Sequence, residues 1–217
     1  MIDYTIQLNN NEFKNSVERI INTNKINEIV ETGTFHGDGS TKIFAETNKY
    51  VFSIECNTDN WIISSKNLSM YPNVCVIHGL SLNRIDLMKG LINEEFDLDT
   101  TYDSKYPKTF YMREISQRVV VEDALDHLTN NDRPQLIFLD SAGGVGYLEF
   151  KKVMSYRKNF LINKVLMLDD ISHIKHLRSV NFLRENGFKV NVSSDQRFAW
   201  CSFQESENQI KLFPYTT

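Results

Sequence analysis

Short apolar runs, each closed by a polar residue or a glycine, recur along this chain, and stretches of helical period lie between them. The runs INEIVETG (26–33), YVFSIECN (50–57), NVCVIHG (73–79), PQLIFLDS (134–141) and NKVLMLDD (163–170) predict five strands. Helices are predicted over 37–50, 58–71, 82–92 and 171–187. Asn57 or Thr58 caps the second of these, and Gly187 stops the last. FKVNVSS (188–194) and RFAWCSFQ (197–204) predict two final strands, and the short link between them makes them antiparallel neighbours.

Strands that are apolar throughout, alternating with helices, predict an α/β fold: a mostly parallel sheet covered by helices on both faces. Ligands of such sheets sit at the carboxyl ends of the strands, near the switch point. The residues there are Glu31, Glu55, His78 with Gly79, Asp140, and Asp169 with Asp170. The chain of 217 residues suits a single domain, 1–217. One excursion, at about 93–133, exceeds the usual connection of roughly 2–6 residues and reads as an insertion or lid. Its first part is acidic and aromatic, with Phe96, Tyr102, Tyr106, Phe110 and Tyr111 as candidates to line a pocket. Its second part, 115–132, is expected to be a helix.

Charge and cysteine usage narrow the partners. The net charge is 24 − 28 = −4 and no basic stripe is visible, which disfavours nucleic acid. Cys56, Cys75 and Cys201 are odd in number and widely spaced, against a disulfide framework or a cysteine zinc site. No signal peptide and no membrane-spanning run is visible, so a cytoplasmic protein with a small-molecule partner is expected. Association into a homo-oligomer is left open.

The segment IVETGTFHGDGST (29–41) carries the first chemistry. Gly33 lets the backbone turn sharply after the strand, and Gly37 and Gly39 allow close approach and open the next helix. A helix N-terminus suits a carboxylate or phosphate. Glu31 at the entrance repels a pyrophosphate but pairs with an ammonium, so a ligand carrying both carboxylate and ammonium fits best. Glu55 lies 55 − 31 = 24 positions on, where an acid takes ribose hydroxyls. The glycine spacing is not that of a dinucleotide loop, which sets a nicotinamide oxidoreductase aside.

Glu31-x-Gly33-x-x-x-Gly37, SIE ending at Glu55, HGLS and FLDS together resemble the class I S-adenosylmethionine-dependent methyltransferases, from about Ile26 to the final strands. The resemblance implies a Rossmann-like seven-stranded, mostly parallel sheet with a reversed last strand. It also implies that the loop (Glu31, Gly33, Thr34, Phe35, Gly37, Gly39) cradles the methionine part of the cofactor. Glu55 then holds the ribose, Gly79 and Ser81 contact the adenine, and Asp140 touches the cofactor. Phe35 stands where the catechol- and caffeoyl-type O-methyltransferases carry an aromatic, whereas Asp38-Gly39 adds a residue to their pattern.

Asp140, Asp169 and Asp170 end adjacent strands. With no Lys or Arg nearby in sequence, they are expected to repel one another unless a hard cation such as Mg²⁺ binds. Such a metal lowers the pKa of a substrate hydroxyl and orients it. The Asp, Asp, Asp set resembles the metal-dependent O-methyltransferases, closer to the macrolide-sugar type than to the catechol type. The other reading is that Asp169 and Asp170 cap the following helix. The catechol type has a lysine shortly after the first Asp, but Ser141-Ala142-Gly143 follows here. Among His36, His173 and His176, His173 is the candidate base, with Asp140 as the other catalytic residue. The expected function is therefore an S-adenosylmethionine-dependent methyltransferase, Mg²⁺-assisted and acting on a hydroxyl of a small sugar or natural-product acceptor. Metal-independent N- or O-methylation, or a non-catalytic cofactor-binding module, are the alternatives.

Overall fold

In the computed structural model, residues 10–93, 108–129, 133–156 and 161–203 are described. Seven strands form one sheet in the order β3-β2-β1-β4-β5-β7-β6. They are β1 (Glu28–Thr32), β2 (Tyr50–Glu55), β3 (Val74–His78), β4 (Leu136–Leu139), β5 (Val165–Leu168), β6 (Asn191–Val192) and β7 (Ala199–Ser202). The β1–β2, β2–β3, β1–β4 and β4–β5 pairs are parallel, and β7 runs antiparallel to both β5 and β6. The strand order reverses between β1 and β4, so a crevice opens at their carboxyl ends. The expected sheet with a reversed last strand is borne out.

Burial on both faces follows the two-residue period of the strands. Leu136 and Phe138 of β4 point to one face, and Ile137 and Leu139 to the other. The first face is covered by α1 (Asn10–Asn24) and α2 (Ser40–Glu46). Phe13 of α1 sits among Phe44, Phe138 and Phe198, with ring centroids 5.8, 5.5 and 5.2 Å away. Leu87 and Leu91 of α4 (Arg84–Asn93), Leu125 of α6 (Ala124–Thr129), Phe150 and Val153 of α7 (Gly144–Ser155) and Leu183 of α8 (Leu177–Glu185) fill the second face. Two more helices, α3 (Thr58–Asn67) and α5 (Lys108–Ile115), flank the β2–β3 edge and α4 respectively. Asn57 caps α3, its side chain accepting from the N–H groups of Asp59 and Asn60. Among the described residues no helix is long and apolar enough to cross a membrane.

Two expected helices change. Residues 115–132 are not one helix: 116–123 run beside the end of β3, where Leu80 N–H donates to the Val121 carbonyl and Val120 N–H to that of His78. The β-branched run Val119–Val121 favours this extended pairing over a helix. The helix expected over 171–187 forms only from Leu177, because Asp170 takes a left-handed φ of 51° and residues 171–176 turn instead. Phe96, Tyr102 and Tyr106 lie outside the described residues.

Candidate functional site

The last two residues of β1 point to opposite faces, and each joins a buried carboxylate to hydroxyls. Glu31 is fully buried and accepts from Ser40 Oγ (2.5 Å), Thr41 Oγ1 (2.6 Å) and Ser53 Oγ (2.6 Å). On the other side, Thr32 Oγ1 donates to Glu149 (2.8 Å), which also accepts from Ser141 Oγ (2.6 Å) and from Ser81. Burial raises the pKa of both carboxyls, and the hydroxyl donors only partly offset it. Glu31 therefore does not reach a ligand. The expected ion pair between Glu31 and a cofactor ammonium is corrected: its carboxylate ties the start of α2 to β1 and β2 beneath the loop.

Above Glu31 the chain turns at Gly33 (φ 85°), whose N–H donates to the Ile54 carbonyl at 2.9 Å. A β-carbon at Gly33 would lie 2.6 Å from the Asp140 carbonyl oxygen, so only glycine lets the β1 loop meet the end of β4. Thr34 is buried, its hydroxyl 2.6 Å from Ser53 Oγ; with the Ser53 proton committed to Glu31, Thr34 is the donor. The Phe35 ring is exposed and stacks on His36, while its N–H donates to Glu55 Oε2 at 2.8 Å. Asn57 N–H donates to Glu55 Oε1, also at 2.8 Å.

A cavity of about 440 Å³ lies at the carboxyl edge of β1 to β4. Gly33, Phe35, Glu55, Gly79, Ser81 and Asp140 border it, all of them expected cofactor contacts. Thr34, Gly37 and Gly39 do not border it. Gly37 instead packs on Leu68, and the start of α2 does not border the cavity as the expected anion cradle would. Phe110, Tyr111, Glu114 and Ile115 of α5 close one side. Burial raises the Glu55 carboxyl to about 7, against the Asn57 and Phe35 N–H groups that favour its ionised form.

Asp140, Asp169 and Asp170 do converge, with one oxygen from each inside a span of 4.8 Å. They are not uncompensated. Lys175 Nζ lies 2.5 Å from Asp140 Oδ1, 3.2 Å from Asp170 Oδ2 and 3.7 Å from Asp169 Oδ2. Arg197, from the β6–β7 link, donates to both oxygens of Asp169, Nε to Oδ1 at 3.1 Å and a terminal nitrogen to Oδ2 at 3.0 Å. The premise that these carboxylates lack basic partners is thus overturned. Burial alone would lower the Lys175 pKa, but the three carboxylates outweigh it and hold the ammonium protonated. Burial would raise Asp169, and Lys175 and Arg197 together bring it below its ordinary value.

His173 borders the cavity, and its Nδ1 accepts the Lys175 N–H at 3.3 Å. In the neutral ring that contact leaves the proton on Nε2. His176 is fully buried between Ser179 Oγ (3.1 Å) and the Leu139 carbonyl (3.1 Å), and burial holds it neutral. It braces the turn and does not reach the cavity.

Glu149, Lys175 and Arg197 escaped the sequence reading. Lys175 lies five positions after Asp170, a visible signal, but helical spacing over 171–187 hides its return toward the strand ends. Arg197 lies 28 residues from Asp169 and is brought there only by the reversed β7.

No family profile and no curated protein matches the chain by sequence. Solved structures share its architecture. An O-methyltransferase from Bacillus cereus in complex with SAH is 14% identical with a TM-score of 0.53, over 91% of this chain and 83% of its own. A Staphylococcus aureus protein with the provisional name caffeoyl-CoA O-methyltransferase is 16% identical with a TM-score of 0.52, over 88% and 82%. A Klebsiella pneumoniae protein, provisionally an O-methyltransferase, is 12% identical with a TM-score of 0.50, over 93% and 82%. At these identities the likeness is one of fold, and the fold is that of the class I methyltransferases.

Proposed function

We propose that this chain is an S-adenosylmethionine-dependent methyltransferase acting on a hydroxyl of a small acceptor. The observation that carries this reading is the position of Glu55: a buried carboxylate at the tip of β2, fixed by two backbone N–H groups and bordering the cavity of the switch point. The lone pairs that Glu55 does not spend on the Phe35, Asn57 and Cys56 backbone N–H groups suit ribose hydroxyls. Gly33 lets the β1 loop lie against the cavity without a side chain in the way, and Gly79 and Ser81 offer an edge for an adenine. The protein in complex with SAH among the fold neighbours fits the same ligand class.

The bound cofactor supplies an electrophilic sulfonium methyl group. The protein's part is positioning and proton removal. Asp140 borders the cavity and orients while Lys175 holds it; burial keeps its carboxyl well above the ordinary carboxylate range. His173 and Asp170 border the same end, and one of them takes the proton of the acceptor hydroxyl. Whichever ring nitrogen accepts that proton, His173 must first release the Lys175 backbone N–H from Nδ1. Phe110 and Tyr111 of α5, part of the insertion, cover the acceptor. The three free thiols fit a cytoplasmic setting.

Mg²⁺ assistance is a second form of this reading, favoured by the carboxylate donor set of Asp140, Asp169 and Asp170. It requires the Lys175 ammonium to leave the centre of that set. Calorimetry with S-adenosylhomocysteine tests the proposal. Binding by the wild type that is weakened at least tenfold by Glu55→Ala supports it. Equal binding, or none by either protein, overturns it.

A further inference from the structure

We infer that Lys175, braced beside Arg197, takes the place of a divalent cation among Asp140, Asp169 and Asp170, and that this closes the cluster to metal. The ammonium is within 3.7 Å of all three carboxylates and its side chain is only 4% exposed. Its position is built in. Gly146 of α7 stands where a β-carbon would come 2.7 Å from Lys175 Cγ, so the helix carries a hydrogen at that point to admit the lysine stem. The turn that delivers Lys175 is pinned at one end by the Ile171 N–H on the Arg197 carbonyl (3.0 Å) and at the other by the buried His176.

A metal needs carboxylate lone pairs aimed at one point. Asp169, 1% exposed, has each of its oxygens engaged by a guanidinium N–H of Arg197. Asp140 gives Oδ1 to Lys175, and Asp170 gives Oδ2 to the same ammonium. With all three carboxyls ionised, they and the two basic groups sum to −3 + 2 = −1, and burial, which raises the Asp140 carboxyl, reduces that charge further, so little is left to attract a dication. A dication entering beside the ammonium would meet a like charge at short range in a poorly solvated site. Asp170, 41% exposed, gives Oδ2 to the ammonium, and its Oδ1 lies 3.7 Å from the Arg197 guanidinium. The donor types suit Mg²⁺, but their arrangement suits the lysine.

This inference deepens the proposed function, in which it makes transfer metal-independent, but its direct test needs no cofactor. Mn²⁺ is titrated into the wild type, Lys175→Ala and Lys175→Ala/Asp170→Asn and followed by electron paramagnetic resonance. The free-ion signal should persist with the wild type, fall with Lys175→Ala, and persist again with the double variant. Wild-type binding that Asp170→Asn abolishes overturns the inference, as does a Lys175→Ala variant that is folded and binds no better than wild type. Lys175→Met, which keeps the stem packed beside Gly146, replaces Lys175→Ala if that variant does not fold. Turnover by chelator-treated wild type should be unchanged, and a loss restored by Mg²⁺ overturns the inference. A protein that shows no methyl transfer at all leaves the Mn²⁺ result to decide the inference and counts only against the proposed function.

Discussion

Thr32 and Glu149, 117 positions apart in sequence, share a buried hydrogen bond of 2.8 Å. It ties the end of β1 to α7. Through Ser141 and Ser81 the same carboxylate also holds the ends of the two neighbouring loops that border the cavity. Glu31, the residue before Thr32, does the same on the other face with Ser40, Thr41 and Ser53. The tip of β1 is therefore clasped from both sides, beside the cavity.

Glu149→Ala should leave three hydroxyls, those of Thr32 and Ser81 buried and that of Ser141 half-buried, without their acceptor. A loss of about 1–3 kcal/mol in denaturant unfolding is expected, with Glu149→Gln costing less because an amide oxygen remains. Unchanged stability in both variants would show that the clasp is not structural.

Glu55 should make cofactor binding depend on pH. Its carboxyl is raised to about 7 by burial, and ribose hydroxyls favour the ionised form. Binding then releases a proton below that pH, and affinity should rise by up to about tenfold per unit from pH 5 to 7 and level off above. Calorimetry in two buffers of different ionisation enthalpy measures the proton, and Glu55→Gln should remove the dependence. For folding the sign is opposite. A carboxyl raised in the folded state costs stability as pH climbs from about 4.5 through about 7.

Gly33→Ala should weaken cofactor binding strongly. The added carbon meets the Asp140 carbonyl, and the backbone holds a φ of 85° that alanine tolerates poorly. A destabilisation above about 1 kcal/mol is expected by thermal or denaturant melt. Wild-type affinity in this variant would contradict the close approach of the two strand ends.

Arg197→Ala should strip the buried Asp169 of its bidentate partner. A loss of about 3–5 kcal/mol is expected, since the carboxylate stays desolvated with Lys175 as its remaining cation. Asp169→Asn in the same background should recover part of it, which a double-variant cycle in urea reads directly.

His173→Asn tests proton removal. If His173 is the base, kcat should fall by about 10²–10⁴ with KM for the cofactor unchanged. If Asp170 takes the proton, the fall should follow Asp170→Asn instead.

The sequence by itself determined the architecture. The central strands β4 and β5 are apolar throughout because both faces are covered, whereas the edge strand β3 is only half-buried, and the polar ends of the parallel strands mark the crevice whatever the helices do in detail. Glu55, Gly33, Gly79 and Asp140 were legible on that ground, since each follows directly on a strand or ends one, while Ser81 came from the resemblance, and all border the cavity. Glu31 was placed at the correct end but on the wrong side, because alternation sends it beneath the loop and the sequence does not say which face holds the ligand. Gly37 and Gly39 were read as ligand contacts, yet Gly37 serves packing against Leu68. Only the tertiary structure decided the charge balance at the three aspartates. Lys175 returns to them because the turn after Asp170 breaks the helical register, and Arg197 arrives because β7 reverses. Both depend on chain direction over many residues, which a local pattern of apolar and polar positions does not encode.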